Sequence, residues 1–188
     1  MFDYYKNFMG QKRMLSRRAL LKANFKPYQQ PIRLPWVRDE LEFVEACTRC
    51  GDCITACPER IIVKADGGFP ELNFARGECT FCTDCVTSCS ENLFTSLDDN
   101  PWSLKAIITD ECLSAKNVVC VICKEQCETE AIRFIPKVGS VSQPILALEK
   151  CTGCGACVKP CPGQAIKLSY QFNENEQFQN VQIKENAS

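Results

Sequence analysis

Histidine is absent from the 188-residue chain. Without it there can be no Ser-His or Cys-His catalytic pair, no histidine-held haem, no Rieske centre and no mixed Cys/His zinc site. Long apolar runs are absent as well: uninterrupted apolar stretches reach only a few residues, far below the ~20 needed to cross a bilayer, so no transmembrane helix is expected. There is no Walker motif, no GxGxxG opening a helix and no acid/base pair in a recognisable context, which leaves nothing to act on a substrate. Core-forming residues are scarce too. Hydrophobic residues make up 45% of the chain, but that figure counts 16 cysteines. A chain so composed needs a staple, either disulfides or metal centres, and whatever it binds it binds through thiolates.

The net charge of −1 hides an asymmetry. Residues 1–38 carry nine Lys+Arg against one Asp, or +8, and residues 39–188 carry 13 against 22 acids, or −9. A basic arm on an acidic body either folds back on that body or meets an acidic partner; nucleic acid and membrane are not expected, because the body would repel phosphates. Arg17 and Arg18 are the candidate partner-binding residues. They sit in Ser16-Arg17-Arg18-Ala19-Leu20-Leu21-Lys22, which is similar to a twin-arginine export signal. A working signal continues into an apolar stretch of about 7 to 15 residues, whereas here Asn24, Lys26, Pro27, Gln29, Gln30 and Pro31 follow. No export is expected, and a cytoplasmic location follows.

Pro27, Pro31 and Pro35 predict an extended linker over 27–35. Asp39, with Glu42 three residues on, predicts a capped helix through Ala46 with Leu41, Phe43 and Val44 on its apolar face. Residues 171–188 read as a loose polar tail. The expected organisation is therefore an arm and linker at 1–38, a first module at 39–100, a second at 101–170, and the tail.

Between the ends the sequence repeats four times. The blocks are Cys47-x2-Cys50-x2-Cys53-x3-Cys57, Cys79-x2-Cys82-x2-Cys85-x3-Cys89, Cys112-x7-Cys120-x2-Cys123-x3-Cys127 and Cys151-x2-Cys154-x2-Cys157-x3-Cys161. Each fourth cysteine is followed four and five residues later by an apolar pair, Ile61-Ile62, Leu93-Phe94, Ala131-Ile132 and Ala165-Ile166. Two x2 spacers let three thiolates on one tight loop reach three corners of an iron-sulfur cube, and the x3 spacer starts a helical turn that points the fourth cysteine elsewhere. In bacterial two-cluster ferredoxins that fourth cysteine ligates the other cluster. By this rule Cys47, Cys50 and Cys53 pair with Cys89, and Cys79, Cys82 and Cys85 with Cys57. Likewise Cys151, Cys154 and Cys157 take Cys127, leaving Cys112, Cys120 and Cys123 with Cys161. Zinc ribbons use two CxxC pairs rather than this run, and disulfides would need an oxidising compartment. Four [4Fe-4S] clusters are the expected cofactors, all 16 cysteines being iron ligands. At about −2 per oxidised four-thiolate cluster, the loaded protein would carry about −9.

The third block is the irregular one. Its first spacer is x7, and Lys124-Glu125-Gln126 separate its last two cysteines where other blocks place Ile54, Val86 or Val158 after the third cysteine. A longer loop and a polar lining predict a wetter or more labile cluster; if Cys112 falls short, the block would hold a three-iron centre or an open iron.

Ile61–Val63, Asp66-Gly67-Gly68 and Phe69–Phe74 read as a hairpin, as do Ile132–Ile135, Val138-Gly139-Ser140 and Ile145–Leu148. Asp98-Asp99-Asn100-Pro101-Trp102 is a turn-rich joint. The fold class is α+β: two tandem bacterial two-cluster ferredoxin modules, with short hairpins and helices around the clusters and an N-terminal arm. Closed thiolate-ligated clusters transfer single electrons, so an electron carrier or an electron-transfer subunit of a larger oxidoreductase, not an enzyme by itself, is what the residues support. A structural metal module is the third possibility.

Several stretches carry a narrower likeness: Ser16-Arg17-Arg18, Pro35-Trp36, Glu45-Ala46-Cys47-Thr48-Arg49-Cys50, Asp66-Gly67-Gly68-Phe69-Pro70-Glu71, Arg76-Gly77-Glu78-Cys79-Thr80-Phe81-Cys82, Pro101-Trp102, Val118-Val119-Cys120, Glu130-Ala131-Ile132-Arg133-Phe134 and Cys151-Thr152-Gly153-Cys154-Gly155-Ala156-Cys157. Over roughly residues 15 to 170 the chain resembles the NapF family of ferredoxin-type proteins from the periplasmic nitrate reductase system. The resemblance implies a cytoplasmic iron-sulfur accessory protein that meets the catalytic subunit of that reductase before export and assists its maturation, by loading or reducing its cluster.

Overall fold

The computed structural model of the chain describes residues 30–171. The chain divides into Met1–Pro31 and Ile32–Ser188, and the architecture below belongs to the second unit. Arg17, Arg18, most of the basic arm and the tail beyond Gln171 lie outside the described residues.

The elements are short because cysteine loops interrupt them every few residues. The order is α1 (Glu40–Ala46), α2 (Asp52–Ala56), β1 (Ile62–Lys64), β2 (Pro70–Leu72), α3 (Asp84–Thr87), β3 (Leu104–Ile108), α4 (Ile122–Glu125), β4 (Ile132–Lys137), β5 (Ser140–Leu146) and β6 (Ile166–Tyr170). Asp39 caps α1 by accepting from the Leu41 N–H at 2.7 Å. Of the expected apolar face only Phe43 is buried; Leu41 is 74% exposed and Val44 38%. Seven residues make two turns, and a helix that short presents one position squarely to the core.

The proline-rich approach to α1 is no free spacer where it is described. Arg33, Leu34, Pro35 and Trp36 are buried. Arg33 forms a forked ion pair with Glu40 (2.7 Å and 2.9 Å) and donates to the Pro70 carbonyl at 2.9 Å. Its guanidinium lies 5.0 Å from the Phe43 ring centre and 5.6 Å from that of Phe69. Arg38 donates to the Phe94 carbonyl and to Asn92. Two of the nine cations counted in the basic segment are thus used inside the fold.

The expected hairpins form. β1 pairs antiparallel with β2 in the register Ile62↔Leu72, turning through Asp66–Gly68 with Gly67 and Gly68 both left-handed. β4 pairs with β5 in the register Ile132↔Leu146, with a bulge between Ile135 and Lys137. Around the second hairpin β3 pairs antiparallel with β6, Leu104 opposite Tyr170 and Ile108 opposite Ile166. In the first half the corresponding outer pair is rudimentary: Val37 bridges Phe94, and Thr95 N–H donates to the Trp36 carbonyl at 2.7 Å. Each half therefore has an inner hairpin and an outer pair of chain segments.

One core joins Leu34, Ile61, Ile62, Leu72, Phe74, Trp102 and Leu104, and a second joins Ala106, Ile132, Cys157 and Ile166. Val158 and Leu168 pack against both. Trp102, which ends the joint at 98–102, and Leu104 just past it sit in the first core, and the Arg33 N–H donates to the Tyr170 hydroxyl at 3.0 Å. The apolar pairs behind the fourth cysteines supply much of this packing: Ile61, Ala131 and Ala165 are each 1% exposed, and burying one large aliphatic side chain contributes about 1.5–3 kcal/mol.

Gly155 holds a positive φ of 83° in a place where a Cβ would collide with the Phe74 ring. Gly139 has φ 72° with open space around it. Alanine costs about 1–2 kcal/mol of left-handed strain at either site, and at Gly155 a further ~1–3 kcal/mol of overpacking. Gly155→Ala is accordingly expected to unfold at a lower temperature than Gly139→Ala in a thermal melt, and equal midpoints would contradict the Phe74 contact.

Candidate metal centres

The regular cysteine loops share a backbone signature. The residues flanking each second cysteine are left-handed: Arg49 (φ 62°) and Gly51 (92°), Phe81 (55°) and Thr83 (66°), Gly153 (75°) and Gly155 (83°). Such turns gather successive N–H groups on the concave side of the loop, the arrangement that favours negatively charged sulfur around a metal group. For Arg49, Phe81 and Thr83 it costs strain that only the surroundings can hold in place. Arg49 lies 4.3 Å from the Phe69 ring centre, and Phe81 packs edge-on against Trp36 and Trp102 with centroids 6.2 Å and 5.5 Å apart. A second signature follows the fourth cysteines, where Arg60, Glu130 and Gln164 are left-handed and return N–H bonds to the carbonyls of Cys57, Cys127 and Cys161 at 3.0–3.1 Å.

These loops bring twelve of the thiols together in three sets of four. Cys47, Cys50, Cys53 and Cys89 line one cavity of about 450 Å³ with Phe43 and Leu93. Cys57, Cys79, Cys82 and Cys85 line another of about 370 Å³. Cys112, Cys120, Cys123 and Cys161 line a third of about 360 Å³. Cys151, Cys154 and Cys157 form the remaining loop, and Cys127 packs, along with Cys123 and Cys161, in the same apolar cluster as Cys151 and Cys157. The crossing of fourth cysteines is done by single helical turns. α2 carries Cys53 toward the first cavity and ends on Cys57, which lines the second; α3 carries Cys85 to the second, and Cys89 just beyond it lines the first.

Cys112 reaches its cavity although seven residues separate it from Cys120. The insertion curls into a closed turn: Lys116 N–H donates to the Cys112 carbonyl, Val118 N–H to that of Leu113 at 2.9 Å, and the buried Ser114 hydroxyl to that of Cys120 at 2.9 Å. The β4–β5 hairpin holds it from outside, with Gln143 Nε2 donating to the Ser114 carbonyl at 2.7 Å and the Ser140 hydroxyl to Asn117 at 2.5 Å. The expected polar lining is not found. Lys124, Glu125 and Gln126 are exposed, while Ile108, Leu113, Ile122, Phe134 and Ile166 line the cavity. Spacing alone placed those polar residues near the cysteines, but the short helix α4 turns them outward. The exposed cysteines are Cys50 and Cys82, both in the first half, and all four around the third cavity are half-buried.

Burial, reinforced by neighbouring cysteines, pushes the thiols of Cys53, Cys79 and Cys123 up to about 11 and those of Cys85 and Cys157 to about 12. As bare thiols they hold their protons at neutral pH, so deprotonation has to be driven by a bound cation. Donors are already aimed at sulfur: Ala131 N–H lies 3.2 Å from Cys127 Sγ and Ala165 N–H 3.4 Å from Cys161 Sγ. The donor set is thiol only, the ligand type that selects zinc, copper(I) or iron-sulfur clusters over hard cations. Among the described residues no three Cys, Asp or Glu side chains converge on a point suited to one metal ion. Fours of thiols disposed around a cavity fit a polynuclear iron-sulfur group better than a single zinc. All 16 cysteines are free of disulfides, and no described helix is long and apolar enough to cross a membrane.

Two features were not anticipated. Strand β3, Leu104–Ile108, buries alternate residues Leu104 and Ala106, a period-2 pattern present in the sequence. Trp102 Nε1 donates to the Thr152 carbonyl at 2.7 Å, a long-range contact with no local signal.

The 4Fe-4S dicluster domain family matches residues 46–93, and the 4Fe-4S binding domain family matches residues 144–167. A ferredoxin-type protein NapF from Haemophilus influenzae is 46% identical over 158 residues, covering 84% of this chain and 89% of the relative. The NapF of Escherichia coli K12 is 41% identical over 155 residues, covering 82% and 94%. A methylamine utilization ferredoxin-type protein MauM from Methylobacillus flagellatus is 33% identical over 161 residues, covering 76% and 69%. With its cysteine loops, ferredoxin-type domains and likeness to these relatives over most of its length, the chain belongs to the NapF family of ferredoxin-type iron-sulfur proteins.

Proposed function

We propose that the chain holds four [4Fe-4S] clusters in two tandem two-cluster modules, works in the cytoplasm, and assists maturation of the periplasmic nitrate reductase catalytic subunit before its export. The observation that carries the cluster assignment is the meeting of thiols from adjacent blocks: Cys89 at the Cys47 loop, Cys57 at the Cys79 loop and Cys161 at the Cys112 loop. All 16 cysteines serve as ligands in this reading, with Cys127 completing the Cys151 loop. A four-iron cluster closed by four thiolates takes up and returns one electron at a time. The chain's part is to shield the sulfurs with apolar residues such as Phe43, Leu93 and Phe134, and to offer N–H donors that set the potential.

The accessory role rests on kinship with NapF. A precursor of the reductase subunit that still carries its export signal is expected to co-purify with this chain. Absence of co-purification, together with normal reductase activity in a deletion strain, would instead favour a general electron carrier or a subunit of a larger oxidoreductase. That second reading is supported by the methylamine utilization relative, whose name ties the same domain type to a different system.

Arg17 and Arg18 are assigned to partner binding through charge, since the basic arm would stand out against a body made still more acidic by its clusters. The Arg17→Gln/Arg18→Gln variant is expected to bind the precursor more weakly, with the deficit shrinking as salt is raised. Loss of iron from the variant without loss of binding would place the arm on the chain's own body.

A further inference from the structure

The two halves meet at cysteine loops. The Cys79 N–H donates to the Cys154 carbonyl at 2.8 Å, a backbone bond between a loop of the first half and one of the second. The contact is clamped from β3 and from Trp102, two residues before it. Trp102 Nε1 donates to the Thr152 carbonyl at 2.7 Å, Lys105 Nζ to that of Cys151, and Gly153 packs so closely on Leu104 that a Cβ would strike its carbonyl and the Trp102 ring. Phe74 and Phe81 flank Trp102 edge-on, with centroids 6.3 Å and 5.5 Å away. Val158, beside Cys157, packs into both cores.

Within each half the loops are tied by helical turns. α2 links Cys53 to Cys57, α3 links Cys85 to Cys89, and α4 runs from Cys123 toward Cys127. No such covalent link joins the halves at the Cys79 and Cys151 loops, so noncovalent contacts set their separation, the clamp together with Gly155 against the Phe74 ring and Val158 in both cores.

We propose that the Cys79–Cys154 contact, positioned by Trp102 and Gly153, joins the two halves into one electron path, with the cysteine sets in the spatial order Cys47, Cys79, Cys151, Cys112. The order differs from that along the chain, where the Cys112 block precedes the Cys151 block. The Cys47 and Cys112 sets form the two ends, and the Cys79 and Cys151 sets the middle. An electron crossing the junction leaves the Cys79 side as the Cys151 side gains it, with no proton or bond exchanged. Trp102 and Gly153 act as positioning residues, holding the two loops in contact.

The inference rests on the cluster assignment above, and its test separates the two. The full-length chain with Cys47→Ala, Cys50→Ala, Cys112→Ala and Cys120→Ala removes two thiols from each end set. Its iron content should fall to half that of the native chain, and electron paramagnetic resonance of the reduced protein should retain spin–spin splitting between the two middle sets. Two independent, unsplit signals would overturn the junction while leaving the cluster assignment intact; a native chain without iron would overturn the assignment itself. Trp102→Phe in the otherwise native chain gives a second reading that does not depend on that variant folding, because it removes the Nε1–H bond to the Thr152 carbonyl and keeps an aromatic ring in the core. At unchanged iron content the spin–spin interaction should weaken as the loop is released, and a spectrum identical to the native one would overturn the proposal.

Discussion

Bringing four thiols into one half-buried cavity is unfavourable unless something positive occupies it. Burial raises their pKa values, as at Cys85 and Cys157, and thiolates forced together would repel one another. Most other features of this chain follow from that constraint. Iron supplies the missing charge, and in doing so replaces part of the hydrophobic core that a chain of this composition cannot build. The left-handed residues around the second cysteines, at Arg49, Phe81 and Thr83, carry strain that makes sense only if the loop must close around a guest. The outer apolar residues then act less as a conventional core than as walls between metal sites and water.

The same economy explains how the halves are joined. Neither core is large, and the first takes in Trp102 at the end of the joint at 98–102 and Leu104, Leu168 and Tyr170 from beyond it. The two halves are consequently less separable than their repeated sequence implies, although each keeps an inner hairpin and an outer pair. The irregular third block fits the same pattern. Its extra residues do not loosen the Cys112 site; Ser114 and Gln143 fold them into a closed turn against the β4–β5 hairpin. What distinguishes this block is the absence of left-handed residues directly beside Cys120, where Val121 sits at φ −130°.

Sequence reading went furthest where the signal is local and periodic. The hairpin turns at Gly67-Gly68 and Gly139, the Asp39 cap and the apolar pairs behind each fourth cysteine are set by residues within a few positions of one another. The x2, x2, x3 spacing likewise carries the direction of the fourth thiol, because one helical turn reverses it. Long-range contacts were illegible: the clamp from Trp102 to Thr152 spans 50 residues, and Arg33 reaches Tyr170 across 137. Leu41 and Val44 were misread as buried because a hydrophobic pattern says which face of a helix is apolar, not how much of it a small core can cover. Lys124–Gln126 were misread as lining because proximity in sequence to Cys123 and Cys127 does not say which way a four-residue helix faces.

The central claim, that thiols from neighbouring blocks close on four separate four-iron clusters, is tested most directly by counting iron and acid-labile sulfide in the chain purified without oxygen. About 16 of each per chain is the predicted result, and fewer than about 12 iron would contradict it.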